Sequence, residues 1–286
     1  MFANFAHSED VAIPQLSYPR VALITGGSRG IGAACIRRFV QAGWKIATVS
    51  YPGETSACWP DSSVLHVRGD LASEQVCETV VNQTLERYGR VDVLVNNAGV
   101  GLYAPPSTVD LPLLRRMLEV NFFAALRLSQ LVIPSMRRER SGAIVNIGSV
   151  AGDVALPWAA GYCASKHALH SITDSLRREL SRDHIRVIKI CPGIVATNFR
   201  DNVLSGTAPP SVLRLRRVIT PEVVAEAVLR GAESRRSRTI YVPQLGRLFS
   251  ATQHVFPWLM DWYLERHSAP AHPMPNSPAT RPEFGD

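Results

Sequence analysis

From Val21 onward the chain alternates short, almost wholly apolar runs with longer stretches whose apolar residues recur every three or four positions. The first pattern predicts strands and the second predicts helices. Strands are expected at 21–24, 45–49, 63–67, 91–95, 143–147, 185–190 and 239–242. Several of these runs are nearly continuous in apolar residues, as in strands covered on both faces of a parallel sheet. Helices are expected between them, at 31–42, 74–88, 113–138, 162–180 and 221–230. Pro134 should kink or end the long central helix, because it lacks the N–H that a helix interior uses. Thr220 before Pro221 reads as a capped helix start. The strand–helix alternation gives an α/β chain built on a doubly wound parallel sheet of about seven strands.

The pattern divides the chain of 286 residues into three parts. Residues 1–19 lack periodicity and read as an N-terminal arm, and 20–244 form the α/β domain. Residues 245–264 are rich in large apolar side chains, among them Phe249, Phe256, Trp258 and Trp262. Beyond them Pro270, Pro273, Pro275, Pro278 and Pro282 make regular structure unfavourable in the tail. The apolar share of 46% suits a globular domain, and no run of 18 apolar residues suggests a membrane span. The first 20 residues contain Glu9, Asp10 and Pro14 and do not read as a secretory signal. The five scattered cysteines, without a CxxC pair, fit reduced thiols of a cytoplasmic protein.

The formal net charge of +7 gathers in part at Arg200, Arg214, Arg216, Arg217, Arg235, Arg236 and Arg238. These runs contain no stacking aromatics and no nucleic-acid motif, so they read as a solvated flank, with no nucleic-acid partner expected.

Chemistry concentrates at the ends of the predicted strands. The first strand runs into Thr25-Gly26-Gly27-Ser28-Arg29-Gly30-Ile31-Gly32, and a helix follows. A glycine-rich turn lets backbone approach a pyrophosphate, and the helix start supplies unpaired N–H donors and a positive dipole end. The spacing Gly26, Gly30, Gly32 departs from GxGxxG, so position rather than pattern carries this reading. The second strand ends near Ser50-Tyr51 without an acid, and the next one is Glu54. With no carboxylate to bond a ribose 2′-hydroxyl, and with Arg29 and Ser50 available to a 2′-phosphate, NADP(H) is preferred and NAD(H) stays possible. Tyr162 and Lys166 are four residues apart on a predicted helix, on one face. An ammonium beside a phenol should favour the phenolate and lower its pKa from ~10. Ser149, after the strand at 143–147, offers a hydroxyl to a substrate oxygen that gains charge.

These motifs together resemble the short-chain dehydrogenase/reductase family, in the single-domain Rossmann form. They are Thr25–Gly32, Asp70, Asn96-Asn97-Ala98-Gly99, Asn121, Ser149, the YCASK stretch from Tyr162 to Lys166, and Pro192-Gly193. The Ser149–Tyr162 interval of 13 (162 − 149) also matches, and the likeness spans roughly 21–242. The resemblance implies that Tyr162 is the general acid or base, Ser149 holds the substrate oxygen, and Lys166 binds the nicotinamide ribose. It implies that Asn121 keeps a water in a proton relay and that Asp70 and Asn97 contact the adenosine side. Ile194 and Thr197 would position the carboxamide. It also implies a homodimer or homotetramer and no metal.

The function expected is interconversion of a secondary alcohol and a ketone on a bulky hydrophobic substrate, of steroid, terpenoid or acyl type. Two alternatives stand beside it: an NAD(P)-binding sensor without turnover, and a docking protein using residues 245–264 for peripheral membrane contact. Cys163 reads as a packing residue, and His167 and His170 as having neither a catalytic nor a metal role.

Overall fold

The computed structural model describes residues 19–53, 64–197, 199, 202–207 and 218–267. The arm at 1–18, the tail beyond 267, Glu54, Arg200, Arg214, Arg216 and Arg217 lie outside the described residues. Seven strands form one parallel sheet: β1 (Val21–Thr25), β2 (Lys45–Ser50), β3 (Val64–Arg68), β4 (Val93–Asn96), β5 (Gly142–Ile147), β6 (Ile185–Pro192) and β7 (Arg238–Val242). Their order is β3-β2-β1-β4-β5-β6-β7.

Why the strands look continuously apolar is visible in the two layers. Ala22, Ile24, Val93, Val95, Val145, Ile188 and Ile190 pack under α1 (Gly30–Gln41) and α6 (Pro221–Ala232). Their neighbours Leu23, Leu94, Ile144 and Val187 pack on the other face, under α2 (Glu74–Tyr88) and α4 (Ala124–Arg138). Successive side chains of a strand point to opposite faces, and here both faces are dry. α3 (Leu111–Leu118) precedes α4, and α5 (Ala160–Glu179) lies between β5 and β6.

The predicted helix at 113–138 is α3, a π-helical turn at Glu119–Phe123, and α4 in succession. Its start is Asp110, whose side chain accepts from the Leu113 N–H. Pro134 does not end it, since α4 continues to Arg138. The carbonyl that loses its partner belongs to Gln130, which like Pro134 is exposed, so solvent can satisfy it. The span 111–138 is apolar and long enough to cross a membrane, but half of its most apolar window is buried in the domain. It is a core element. Thr220 stands at the start of α6 without capping the backbone, and its hydroxyl goes to Glu222.

Residues 245–264 form two helices, α7 (Leu245–Val255) and α8 (Pro257–His267). Met260 and Leu264, with Phe249 and Tyr263, pack on Val154 and Leu156 after β5. The same hairpin leaves Trp258 67% and Trp262 53% exposed.

Candidate active site

The strand order reverses between β1 and β4, and the cleft outside such a switch point is where open α/β sheets bind ligands. The carboxyl ends of β1, β4, β5 and β6 bring Thr25–Gly32, Asn96–Gly99, Ile147–Ser149 and Pro192–Thr197 to this edge.

Thr25 ties the first two segments together. Its Oγ1 accepts from the Asn97 and Ala98 N–H groups, each at 2.9 Å. Asn97 returns its amide to the Thr25 and Gly26 carbonyls at 2.8 and 3.3 Å. The Asn97 side chain therefore holds the turn in shape rather than projecting toward an adenosine. Gly30 adopts φ +54°, and a Cβ on Gly32 would lie 2.0 Å from the Gly26 carbonyl oxygen. α1 then starts without a side-chain cap and without an acid in its first turn. Uncapped N–H groups behind a turn that only glycine allows are what a pyrophosphate needs, and these residues fit the dinucleotide. Opposite the turn, a Cβ on Gly30 would lie 3.3 Å from Thr197 Cγ2. Thr197 Oγ1 accepts from the Phe199 N–H. Pro192 ends β6, the Gly193 N–H bonds Val242, and Ile194 is partly exposed at the rim.

The residues expected to read the adenosine end are engaged within the protein. Arg29 donates to Asn202 Oδ1. Ser50 is buried, with its Oγ 2.6 Å from His66 Nε2. Asp70 accepts from the Ala72 N–H at 3.0 Å and pairs with Arg116 of α3. Ser28 lies in the turn and is largely buried, and Ile31 is in the first turn of α1.

At the other end of the cleft the expected side chains meet. Tyr162 and Lys166 share a face of α5, with Lys166 Nζ 5.9 Å from the Tyr162 ring centre and 3.0 Å from the Ile147 carbonyl. The Ser149 hydroxyl lies by the Tyr162 phenol, and its Oγ accepts from the Ala151 N–H at 3.1 Å. Burial pushes the Tyr162 pKa up, the nearby Tyr103 adds to the rise, and the Ser149 hydroxyl opposes it. Burial likewise lowers Lys166 to about 8. The expectation that the ammonium pulls the phenol down is thus not met in the protein alone. Desolvation outweighs a charge that is itself desolvated. The phenol is held protonated.

Asn121 sits in the π-helical turn, a feature absent from the hydrophobic pattern. Its amide clasps the Val100 backbone at 2.8 and 2.9 Å and donates to Ser165 Oγ at 3.1 Å. The clasp places Gly99 beside both Asn121 and Lys166. π-Helical turns recur at functional sites, where the extra residue re-aims a side chain.

Two aromatic rings missed at the level of individual residues flank the phenol. Tyr103 and Phe199 stand 6.3 and 5.8 Å from the Tyr162 ring centre. Tyr103 is carried by a strap in which 101–103 hydrogen-bond to 202–205 through Gly101, Tyr103 and Leu204 N–H groups. Loops carry no periodic signal, so the hydrophobic pattern could not select these two residues.

Comparison with known proteins agrees with this geometry. Residues 20–207 match the family model for short chain dehydrogenase. The chain is 33% identical to L-fucose dehydrogenase of Mus musculus, over 75% of this chain and 83% of that protein. It is 31% identical to 3alpha-hydroxysteroid dehydrogenase of Mediterraneibacter gnavus, over 73% and 88% respectively. A short chain dehydrogenase from Burkholderia cenocepacia solved in complex with NADP superposes with a TM-score of 0.73. That pair is 26% identical, covering 86% of this chain and 97% of the other. The phosphate turn, the Ser149–Tyr162–Lys166 cluster and the family match converge, and the chain belongs to the short-chain dehydrogenase/reductase family of oxidoreductases.

Proposed function

We propose that the protein reduces a ketone to a secondary alcohol with NADPH, on a bulky apolar substrate. The observation that carries the reading is the Tyr162 phenol, protonated, beside Ser149 and flanked by the Tyr103 and Phe199 rings. NADPH, when bound, supplies the hydride. Tyr162 gives its proton to the carbonyl oxygen, and Ser149 steadies that oxygen as its charge grows. Lys166 offers hydrogens to the ribose hydroxyls while the Ile147 carbonyl fixes its ammonium. Gly26, Gly30, Ile31 and Gly32 accommodate the pyrophosphate, and Ala98, Gly99, Pro192, Gly193, Ile194 and Thr197 line the remaining wall.

The preference for the phosphorylated cofactor is supported by Arg29 beside the turn and by Tyr51, Pro52 and Gly53 after β2, none of them acidic. An arginine has five N–H donors, so a 2′-phosphate can share or replace the Asn202 contact. The two relatives act on a sugar and a steroid by their names, so the aromatic wall rather than kinship supports the apolar choice. Absorbance of NADPH and NADH with steroid, terpenoid and long acyl ketones tests it. Faster NADPH oxidation with at least one bulky ketone is expected. Turnover confined to sugars, or a preference for NADH, would sink it.

Exposed Leu248, Val255, Phe256, Trp258 and Trp262 on the hairpin, beside Arg247 and Arg266, favour a further contact with an anionic bilayer. Co-sedimentation with phosphatidylserine vesicles should follow, and should fall when Trp258 and Trp262 become serine. Equal pelleting without vesicles argues against it. The four described cysteines are buried free thiols, which suits the cytoplasm, and localisation of a tagged chain checks this. Light scattering tests the homodimer or homotetramer common in the family.

A further inference from the structure

Behind Ser149, on the side away from the cleft, lies a buried polar cluster that the reaction above does not use. His170 is one turn beyond Lys166 on α5 and 5% exposed. Its Nδ1 is 2.9 Å from Asp153 Oδ1. The Tyr241 hydroxyl of β7 donates to Asp153 Oδ2 at 2.8 Å and lies 3.2 Å from Ser250 Oγ of α7. On the opposite edge of the imidazole, Nε2 lies 3.5 Å from the Ser149 backbone nitrogen and 3.7 Å from Cys191 Sγ.

Asp153, His170 and Cys191 carry metal-ligand atoms within 4.8 Å of one another. Yet the carboxylate and the thiol take opposite ring nitrogens, so an ion between Nε2 and Sγ would leave Asp153 on the far edge. The order Cys–His–Asp also resembles a nucleophile triad. Cys191 is fully buried, however, and burial raises its thiol to about 12, so it meets no substrate. What the cluster touches instead is the backbone that carries Ser149.

Two glycines show how closely. A Cβ on Gly148 would lie 2.2 Å from His170 Nε2, and one on Gly152 would lie 2.5 Å from the ring. The turn on either side of Ser149 rests directly on the imidazole. Asp153, an acceptor held ionised at about 2 by the His170 bond and charge and the Tyr241 and Ser250 bonds against burial, fixes the proton on Nδ1. Nε2 is left as an acceptor facing the Ser149 N–H.

We infer that His170, oriented by Asp153 and Tyr241, is a positioning residue that sets the Ser149 hydroxyl against the Tyr162 phenol. The inference rests on reading Ser149 and Tyr162 as the catalytic pair. It also couples the C-terminal hairpin to the catalytic turn, through Ser250, Tyr241, Asp153 and His170 in sequence. Protonating Nε2 would replace the acceptor with a donor aimed at another N–H, so the turn should loosen in acid. The charged and titratable groups facing His170 are Asp153 from the turn after β5, Lys189 and Cys191 from β6, and Lys166 from α5. Lys189 is itself paired with Asp174 at 2.9 Å. Burial lowers the His170 pKa below its ordinary value, with the lysines adding to this and Asp153 opposing it, so the neutral form prevails at pH 7.

The test compares His170→Gln, which keeps a non-titrating acceptor near the Nε2 position, with His170→Ala and Asp153→Asn. Reduction of an activated diketone, diacetyl or phenanthrenequinone, is followed against pH with NADPH. In the full-length protein, kcat should fall about tenfold in His170→Ala with NADPH Kd within about twofold, since small misplacements at a reacting centre are costly. The acid limb of the wild-type kcat profile should vanish in His170→Gln, which should keep most of the activity. Amide exchange read by NMR should show the Ser149 N–H about tenfold less protected in His170→Ala. An unchanged acid limb in His170→Gln, or unchanged kcat and Ser149 exchange in His170→Ala, overturns the inference. If no diketone is reduced by the wild type while Ser149 exchange responds to His170→Ala, the catalytic reading fails and the positioning of Ser149 stands. Should His170→Ala not fold, Asp153→Asn and the pH profile of His170→Gln decide.

Discussion

The two ends of the cleft treat their polar side chains in opposite ways. At the nicotinamide end Ser149 and Tyr162 face each other, and Lys166 stands over the same ring. At the adenosine end Arg29, Ser50 and Asp70 are each bonded to some other part of the protein: Asn202, His66 and Arg116. Chemistry that moves a proton needs its donors assembled beforehand, because reorganising them during reaction adds to the barrier. A phosphate or an adenine can be met by backbone N–H groups and by side chains that exchange partners on binding. The contrast teaches that a motif whose side chains converge on one another is a stronger functional signal than one whose members serve the fold.

That contrast can be broken by experiment, most forcefully at Tyr162. Tyr162→Phe should cut kcat by about 10³-fold while leaving NADPH affinity within about twofold, because general acid catalysis alone carries 10²–10⁴. Substantial turnover, measured by NADPH absorbance, would mean that the assembled end is not the reacting one. Lys166→Met should stabilise the fold by up to about 3 kcal/mol at pH 7 while abolishing activity, since the buried ammonium titrates at about 8 instead of 10.5. The sign follows from the lowered pKa: the unfolded chain holds more protons between about 8 and 10.5, so wild-type stability rises across that window. Thermal melts at pH 7 and pH 10 should therefore show the advantage of the variant shrinking, and an advantage that grows with pH refutes it.

The adenosine end should answer more weakly. Arg29→Ala should raise the Kd for NADPH about tenfold, the worth of one or two charge-assisted hydrogen bonds, and leave NADH nearly untouched. Equal losses for both cofactors in a fluorescence titration would assign Arg29 to the Asn202 contact alone. Smallest is Asp70→Asn, which keeps the bond to the Ala72 N–H and weakens a partly exposed pair with Arg116. It should cost under about 1 kcal/mol in urea denaturation. A much larger loss, with NADPH binding intact, would make Asp70 a structural residue.

The sheet was legible because both of its faces are buried: the strand at 21–24 is an unbroken apolar run, and the one at 185–190 is interrupted only by Arg186 and Lys189. The Tyr162–Lys166 pair was legible because helix geometry fixes what a spacing of four means. The π-helical turn was not, because an inserted residue inside a continuous apolar helix leaves no mark in a window of that length. Nor was the setting of His170, four residues beyond Lys166. Its partners Asp153 and Cys191, and Tyr241 behind Asp153, arrive from three other elements, and only the fold brings them together. Pro134 does not end the helix because the residue whose carbonyl it leaves without a partner, Gln130, is exposed to solvent.

The π-helical turn has a consequence for how the chain tolerates insertions and deletions. An α-helix advances about 100° per residue, so the widened turn lets two helices of different phase share one axis. Removing one residue from 119–123 would bring α3 and α4 into a common phase and swing α3 by roughly that angle. Arg116 would leave Asp70 and the Asn121 amide would leave the Val100 backbone in the same movement. A one-residue deletion here therefore dismantles both ends of the dinucleotide cleft, although it touches neither the glycine turn nor Tyr162.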